Sequence, residues 1–203
     1  MKSAALSFSL AGALALTLGA CSKQDADIAP ATPQSVSPAE PAAPALTLSS
    51  YDKVGAEGKG FTAGAMMSAQ TIYVLFDPQC PHCGHLWRQS LPLHNKVKFV
   101  WIPVAFNPGK SLGQAVGLLS AANPVEAMTA HETSLLANNG GLLPPATLDP
   151  ALEAAVKKNT DLLASLGQHS VPFILGKHRV TGELVSNSGA LETEALANKF
   201  GLN

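Results

Sequence analysis

The chain has 203 residues, 46% of them hydrophobic, enough for one globular domain with a sizeable core and short for two. Its 13 Lys and Arg against 14 Asp and Glu give a formal net charge of -1, and the cations are scattered along the sequence rather than clustered. No footprint for nucleic acid or for an acidic membrane surface is legible, and nucleic-acid binding is set aside.

Lys2 and the free amino group precede an almost uncharged apolar run, Ala4 to Leu18, which closes on Leu18-Gly19-Ala20-Cys21. An apolar run of that length with a cation before it and small residues after it is a secretory signal, since a membrane-spanning helix needs roughly 20 apolar residues. The ending also resembles a bacterial lipoprotein processing site, at which the cysteine is lipidated and becomes the new N-terminus. Cys21 would then carry the anchor; the alternative is an ordinary cleaved signal with an incidental cysteine. Ser22 in place of Asp after it leans toward the outer membrane by the same resemblance. Residues 21–45 follow as a Pro- and Ala-rich tether with Pro30, Pro33, Pro38, Pro41 and Pro44, too poor in large apolar residues to bury a core. The expected organisation is a signal at 1–20, a tether at 21–45 and a folded domain at 46–203.

Within that domain, Leu46 to Gln70 is punctuated by Gly55, Gly58, Gly60 and Gly64, which predicts turns and at most one short element. Thr71 to Phe76 is an apolar, β-rich run of the kind buried on both faces of a central sheet, stopped by Asp77-Pro78. Cys80-Pro81-His82-Cys83 comes next and opens a stretch of helical composition that ends near Pro92. A second apolar run, Val97 to Ile102, completes a βαβ unit with a parallel pair of strands. Ser111 to Ala122, Pro124 to Leu136 and Pro150 to Leu166 predict three helices, two of them with proline in the first turn. They form a helical insertion at about 106–168. Phe173 to Leu175 and Val180 to Val185 are short strand candidates, and Ala190 to Phe200 is a closing helix.

Three cysteines in an exported protein leave one unpaired, and lipidation of Cys21 accounts for it. Cys80 and Cys83 close too short a loop to restrain an unfolded chain much, so a reactive pair fits better than a structural staple. Thiol-disulfide exchange requires a thiolate. Cys80 at a helix N-terminus would have unpaired N–H groups and the positive end of the macrodipole beside its sulfur. Pro81 suits the first turn, and His82 can add a hydrogen bond or partial positive charge. Cys83, one turn on, is placed to attack a mixed disulfide on Cys80. Cys80 is thus assigned as nucleophile and Cys83 as resolving thiol. The competing reading is half of a metal site built from Cys80, Cys83 and His82 in a metal-binding or metal-delivery lipoprotein, for which the sequence lacks the usual second ligand pair. No metal and no cofactor beyond the dithiol is expected. His94, His131, His169 and His178 show no paired spacing and fit surface positions; Met66 and Met67 fit the core better than a copper site, and Trp87 and Trp101 fit packing.

The series Phe76-Asp-Pro-Gln-Cys-Pro-His-Cys83, Trp101-Ile-Pro-Val-Ala105, Ser111-Leu-Gly113 and Val171-Pro172 resembles the catalytic domain of the DsbC/DsbG branch of bacterial thiol-disulfide interchange proteins, over about Ile72 to Asn203. The resemblance implies an α/β thioredoxin fold, a central mixed sheet flanked by helices, with a helical insertion. It also implies that Pro172 is cis in a loop facing the cysteine pair, with Val171 and Pro172 contacting substrate. The implied substrates are Cys-containing exported proteins, the implied partner is a membrane redox protein of the Dsb type, and the site is the periplasmic side of the envelope. Three departures stand out. The N-terminal dimerisation domain of that branch has no counterpart, so a monomer is expected. Val171 before the proline and Pro-His between the cysteines look more like the DsbA oxidases, which leaves oxidase, reductase and isomerase directions open. The buried acid of thioredoxin falls on Val74, so a proton relay needs another group; Asp77 is nearer, or caps the turn before Pro78.

Overall fold

The computed structural model describes residues 45–203, which form one compact unit. The signal, the tether and Cys21 lie outside the described residues. In chain order the elements are α1 (Leu48–Glu57), β1 (Phe61–Gly64), β2 (Thr71–Phe76), α2 (Pro81–Ser90) with a single 3₁₀ turn at Leu91–Leu93, β3 (Lys98–Pro103), α3 (Ser111–Ser120), α4 (Pro124–Leu136), α5 (Pro150–Ser165), β4 (Phe173–Lys177), β5 (Leu184–Ser188) and α6 (Thr193–Phe200).

The five strands form one mixed sheet in the order β1-β3-β2-β4-β5. β2 and β3 run parallel around α2, as the βαβ reading requires, and the other pairs are antiparallel. Strand side chains alternate between faces, and the two cores follow that period. Ile72, Val74 and Phe76 of β2, Phe99 and Trp101 of β3 and Ile174 of β4 meet Leu86 and Trp87 of α2 and Leu196 and Phe200 of α6. On the other face, Leu75, Ile102, Phe173 and Leu175 pack against Val54 of α1 and Leu162 and Leu163 of α5. The two tryptophans stack edge to face with ring centroids 5.0 Å apart, so both are packing residues.

Two expectations change. The segment 46–70 holds a ten-residue helix and a strand despite its glycines. Gly55 sits inside α1 because a Cβ there would come within 2.5 Å of the Tyr73 hydroxyl; close packing on the sheet, not a turn, demands the glycine. The last strand begins at Leu184, and Val180 lies in the preceding turn, 81% exposed. All three insertion helices form where the sequence predicts them, with Pro124 and Pro150 in their first turns. α5 also lines the second core, so the insertion is part of the domain's own packing.

Candidate active site

β2 delivers the chain to Asp77, a buried carboxylate that organises the approach to the cysteines. Its Oδ1 accepts from the Gln79 N–H and the Ser111 hydroxyl, and its Oδ2 from the Phe106 and Asn107 N–H groups, all at 2.7 Å. Asp77 thereby ties the turn before Cys80 to the loop after β3 and the start of α3. His131 of α4 fixes the same turn from the other side: its Nε2–H donates to the Pro78 carbonyl at 2.7 Å, while its Nδ1 accepts from the Leu142 N–H at 3.1 Å. Burial lowers its pKa, so it stays the neutral imidazole those two bonds require. Gln79 is held in turn by Gln114 and by the Gly140 carbonyl. The histidine expected at the surface is therefore a buried anchor of the site, and Met66 and Met67, expected in the core, are 64% and 97% exposed.

Cys80 is the N-cap of α2 and Pro81 its first helical residue. The helix starts there because proline has no N–H to lose in a first turn. The Cys80 carbonyl accepts from the Cys83 and Gly84 N–H groups, and Cys80 is 8% exposed, whereas Cys83 is fully buried. Both are free thiols. The Val171–Pro172 bond is cis, and the Cys80 sulfur lies 3.6 Å from the Val171 carbonyl oxygen. Pro172 is buried, Val171 half-buried, and Pro81 and His82 are exposed on the helix end.

The two thiols are pushed apart electrostatically. A hydrogen bond from the Cys83 thiol pulls the Cys80 pKa down to about 6; partial burial opposes this, and the Cys83 and His82 N–H groups and the His82 charge assist it. Burial pushes Cys83 well above the ordinary thiol value, with the hydrogen bond it gives to Cys80 and the charges of Cys80 and Glu132 adding to the rise. Cys80 is the thiolate at neutral pH and Cys83 the thiol.

Glu132 is the residue that sequence reasoning missed. It is fully buried, and neither carboxyl oxygen has a hydrogen-bond partner among the described residues. A Cβ on Gly84 would come within 2.5 Å of its Oε2, so the carboxyl lies directly against the residue that follows Cys83. Burial, then the charges of Cys80 and Asp77, raise its pKa to about 9. A signal was available: Met128, His131 and Glu132 fall at i, i+3 and i+4 of α4 and are its buried residues, so helical periodicity puts the carboxyl on the inner face. Among the described residues, no three His, Cys, Asp or Glu side chains gather as they would to hold a metal ion.

No family model matches the chain. It is 27% identical over 140 residues to the thiol:disulfide interchange protein DsbG of Pseudomonas aeruginosa, covering 68% of this chain and 54% of that protein, so it spans about half the length of the relative. Among solved structures, a linker-deletion variant of Proteus mirabilis ScsC superposes with a TM-score of 0.61 at 16% identity, covering 76% of this chain and 78% of that one. A periplasmic thioredoxin-like protein from Salmonella enterica serovar Typhimurium gives 0.60 at 18%, covering 78% and 97%. DsbA2 of Pseudomonas aeruginosa gives 0.53 at 21%, covering 68% and 90%. Sequence likeness and fold agree: residues 45–203 are a thioredoxin-fold domain with a helical insertion, similar to the Dsb-type thiol-disulfide interchange proteins.

Proposed function

We propose that the protein is an envelope thiol-disulfide oxidoreductase that exchanges disulfides with Cys-containing exported proteins through Cys80. The observation that carries this reading is the placement of a low-pKa sulfur at a helix N-terminus, 3.6 Å from the backbone of a cis-proline loop. The Cys80 thiolate attacks one sulfur of a substrate disulfide; that S–S bond breaks, the second substrate sulfur leaves as a thiolate and takes a proton from solvent, and a mixed disulfide forms. Val171 and Pro172 hold the substrate backbone beside it. Cys83 then gives its proton to the Glu132 carboxylate and attacks the Cys80 sulfur, which releases the substrate as a thiolate and leaves Cys80 and Cys83 oxidised.

Glu132 suits that second step for an electrostatic reason. Part of its raised pKa comes from the Cys80 charge, which disappears in the mixed disulfide, so its carboxylate form becomes more populated when a base is needed. The reverse sequence oxidises a substrate dithiol. The depressed Cys80 pKa stabilises the dithiol over the disulfide and moves the pair toward oxidising others; the potential of its membrane redox partner, of the Dsb type, sets the direction in the cell. Cys21 carries the lipid anchor, outer membrane favoured, and the domain works on the periplasmic side.

Reduction of a model protein disulfide tests the activity: Cys80→Ser abolishes turnover, and a Cys80→Ser protein that retains it overturns the assignment. Acid quenching of whole cells followed by alkylation with a mass-adding reagent reads the direction. A pair kept mostly reduced identifies a reductase or isomerase, and a pair kept mostly oxidised an oxidase.

A further inference from the structure

The sheet gives the domain two ends. β2 and β4 are antiparallel with Leu75 opposite Phe173 and Ile72 opposite Gly176, so Cys80 and Pro172 sit at one end, and Gln70 and Lys177 at the other. A cavity of about 550 Å³ opens at that far end, with Lys96, Lys177, His178 and Arg179 in its wall. The charges of Lys96, Lys177 and Arg179 are held by neutral partners. Lys96 Nζ donates to the Leu202 carbonyl, Arg179 to the Gln70 side chain and the Lys96 carbonyl, and Lys177 Nζ lies 4.5 Å over the Tyr51 ring. The one ion pair among the described residues is Lys157–Glu153, elsewhere, so no carboxylate lies within ion-pair distance of these three cations. Glu183, the acid of the adjoining turn, accepts from the Thr181 hydroxyl.

Apolar side chains stand exposed around the same end. Met66 and Met67 belong to the loop that leads into β2, and Val180 to the turn that leaves β4. The described chain also enters here: Tyr51 of α1 hydrogen-bonds the Thr71 carbonyl at the start of β2, and Leu48, at the first turn of α1, is 53% exposed. Cations outside any ion pair around a cavity, with exposed methionines beside them, match the layering of a bilayer surface, where phosphates lie just outside an apolar interior.

We propose that this end of the domain is a membrane-contact surface: the cavity takes the phosphate of an anionic phospholipid headgroup, and Met66, Met67 and Val180 enter the interface around it. The Cys80 end then points away from the bilayer, toward exported proteins. The proposal rests on export of the chain, and it is independent of the redox chemistry.

The test is co-sedimentation of the exported full-length chain carrying Cys21→Ser, so that no covalent lipid masks the contact, with vesicles of phosphatidylcholine alone or mixed with phosphatidylglycerol. Binding is expected to the mixed vesicles and to weaken with salt. Lys96→Gln, Lys177→Gln and Arg179→Gln each lower it about fivefold, and the triple variant on the order of a hundredfold. Met66→Ser with Met67→Ser, at exposed positions that leave the fold intact, lowers it about tenfold. Disulfide exchange stays at the wild-type rate in all of them, and Cys80→Ser leaves vesicle binding unchanged. Equal binding to both vesicle types, or binding that both sets of variants leave unchanged, overturns the proposal. Binding of inorganic phosphate with no binding to the mixed vesicles overturns it too, by making a soluble anion the ligand.

Discussion

At Cys80 and Cys83, neighbours of one helical turn differ in chemistry because one sulfur takes hydrogen bonds at a helix start and the other is buried beneath it. Alkylation of Cys80 is therefore expected to follow a single titration with a midpoint near 6, while Cys83 stays unreactive throughout the neutral range; equal reactivity of the two at neutral pH would contradict this. Glu132 is an expense to the fold. Its carboxyl ionises near the ordinary value in the unfolded chain but only near 9 in the folded one, so its penalty is absent below about pH 4.5 and grows as pH rises toward 9. Glu132→Gln removes that penalty, and its Tm should exceed the wild type's by an amount that grows from pH 5 to 8, corresponding to on the order of 1–3 kcal/mol at neutral pH. The same variant should slow release of the mixed disulfide about tenfold or more, with the first attack by Cys80 preserved. A variant no more stable and no slower would deprive Glu132 of both roles. Cys80 and its motif are legible in the sequence because chemistry and local geometry coincide there in a short motif, while the cis bond at Pro172 is reached only through the family resemblance. For Glu132 periodicity shows the burial but not the role, because it reaches Gly84 from a helix far along the chain and its significance lies in having no partner.

Among the elements, the parallel β2-α2-β3 unit and the three insertion helices follow from periodicity and proline placement, and the structure keeps their boundaries to within a residue or two. α1 and β5 were obscured for physical reasons. Gly55 weakens the helix signal of α1, but tertiary packing against Tyr73 overrides propensity, and β5 is a half-exposed edge strand without an apolar run. The link between insertion and motif is Asp77. Replacing it by Ala leaves three backbone N–H groups and the Ser111 hydroxyl without their acceptor, which should cost roughly 3–5 kcal/mol in denaturant unfolding; a loss below about 1 kcal/mol would mean that the loop relaxes onto water instead.

For the whole molecule, a shift at one sulfur becomes a difference in stability. The depressed Cys80 pKa stabilises the reduced fold fully above the unfolded thiol value near 9, and this contribution is lost as pH falls through about 6. At pH 7 it amounts to about 1 kcal/mol, so the Tm of the reduced protein relative to Cys80→Ser should drop between pH 7 and 5. The opposite ends of the sheet, one carrying the thiolate and the other unpaired cations, were beyond the reach of sequence, since Lys96, Lys177 and Arg179 come together only through the strand register. The central claim is that Cys80 forms a covalent bond to other proteins and Cys83 breaks it. Cys83→Ser expressed in the native envelope, acid-quenched and run without reductant, should accumulate high-mass adducts that collapse on reduction and vanish when Cys80→Ser is added. Absence of adducts, or adducts that survive loss of Cys80, would contradict the account.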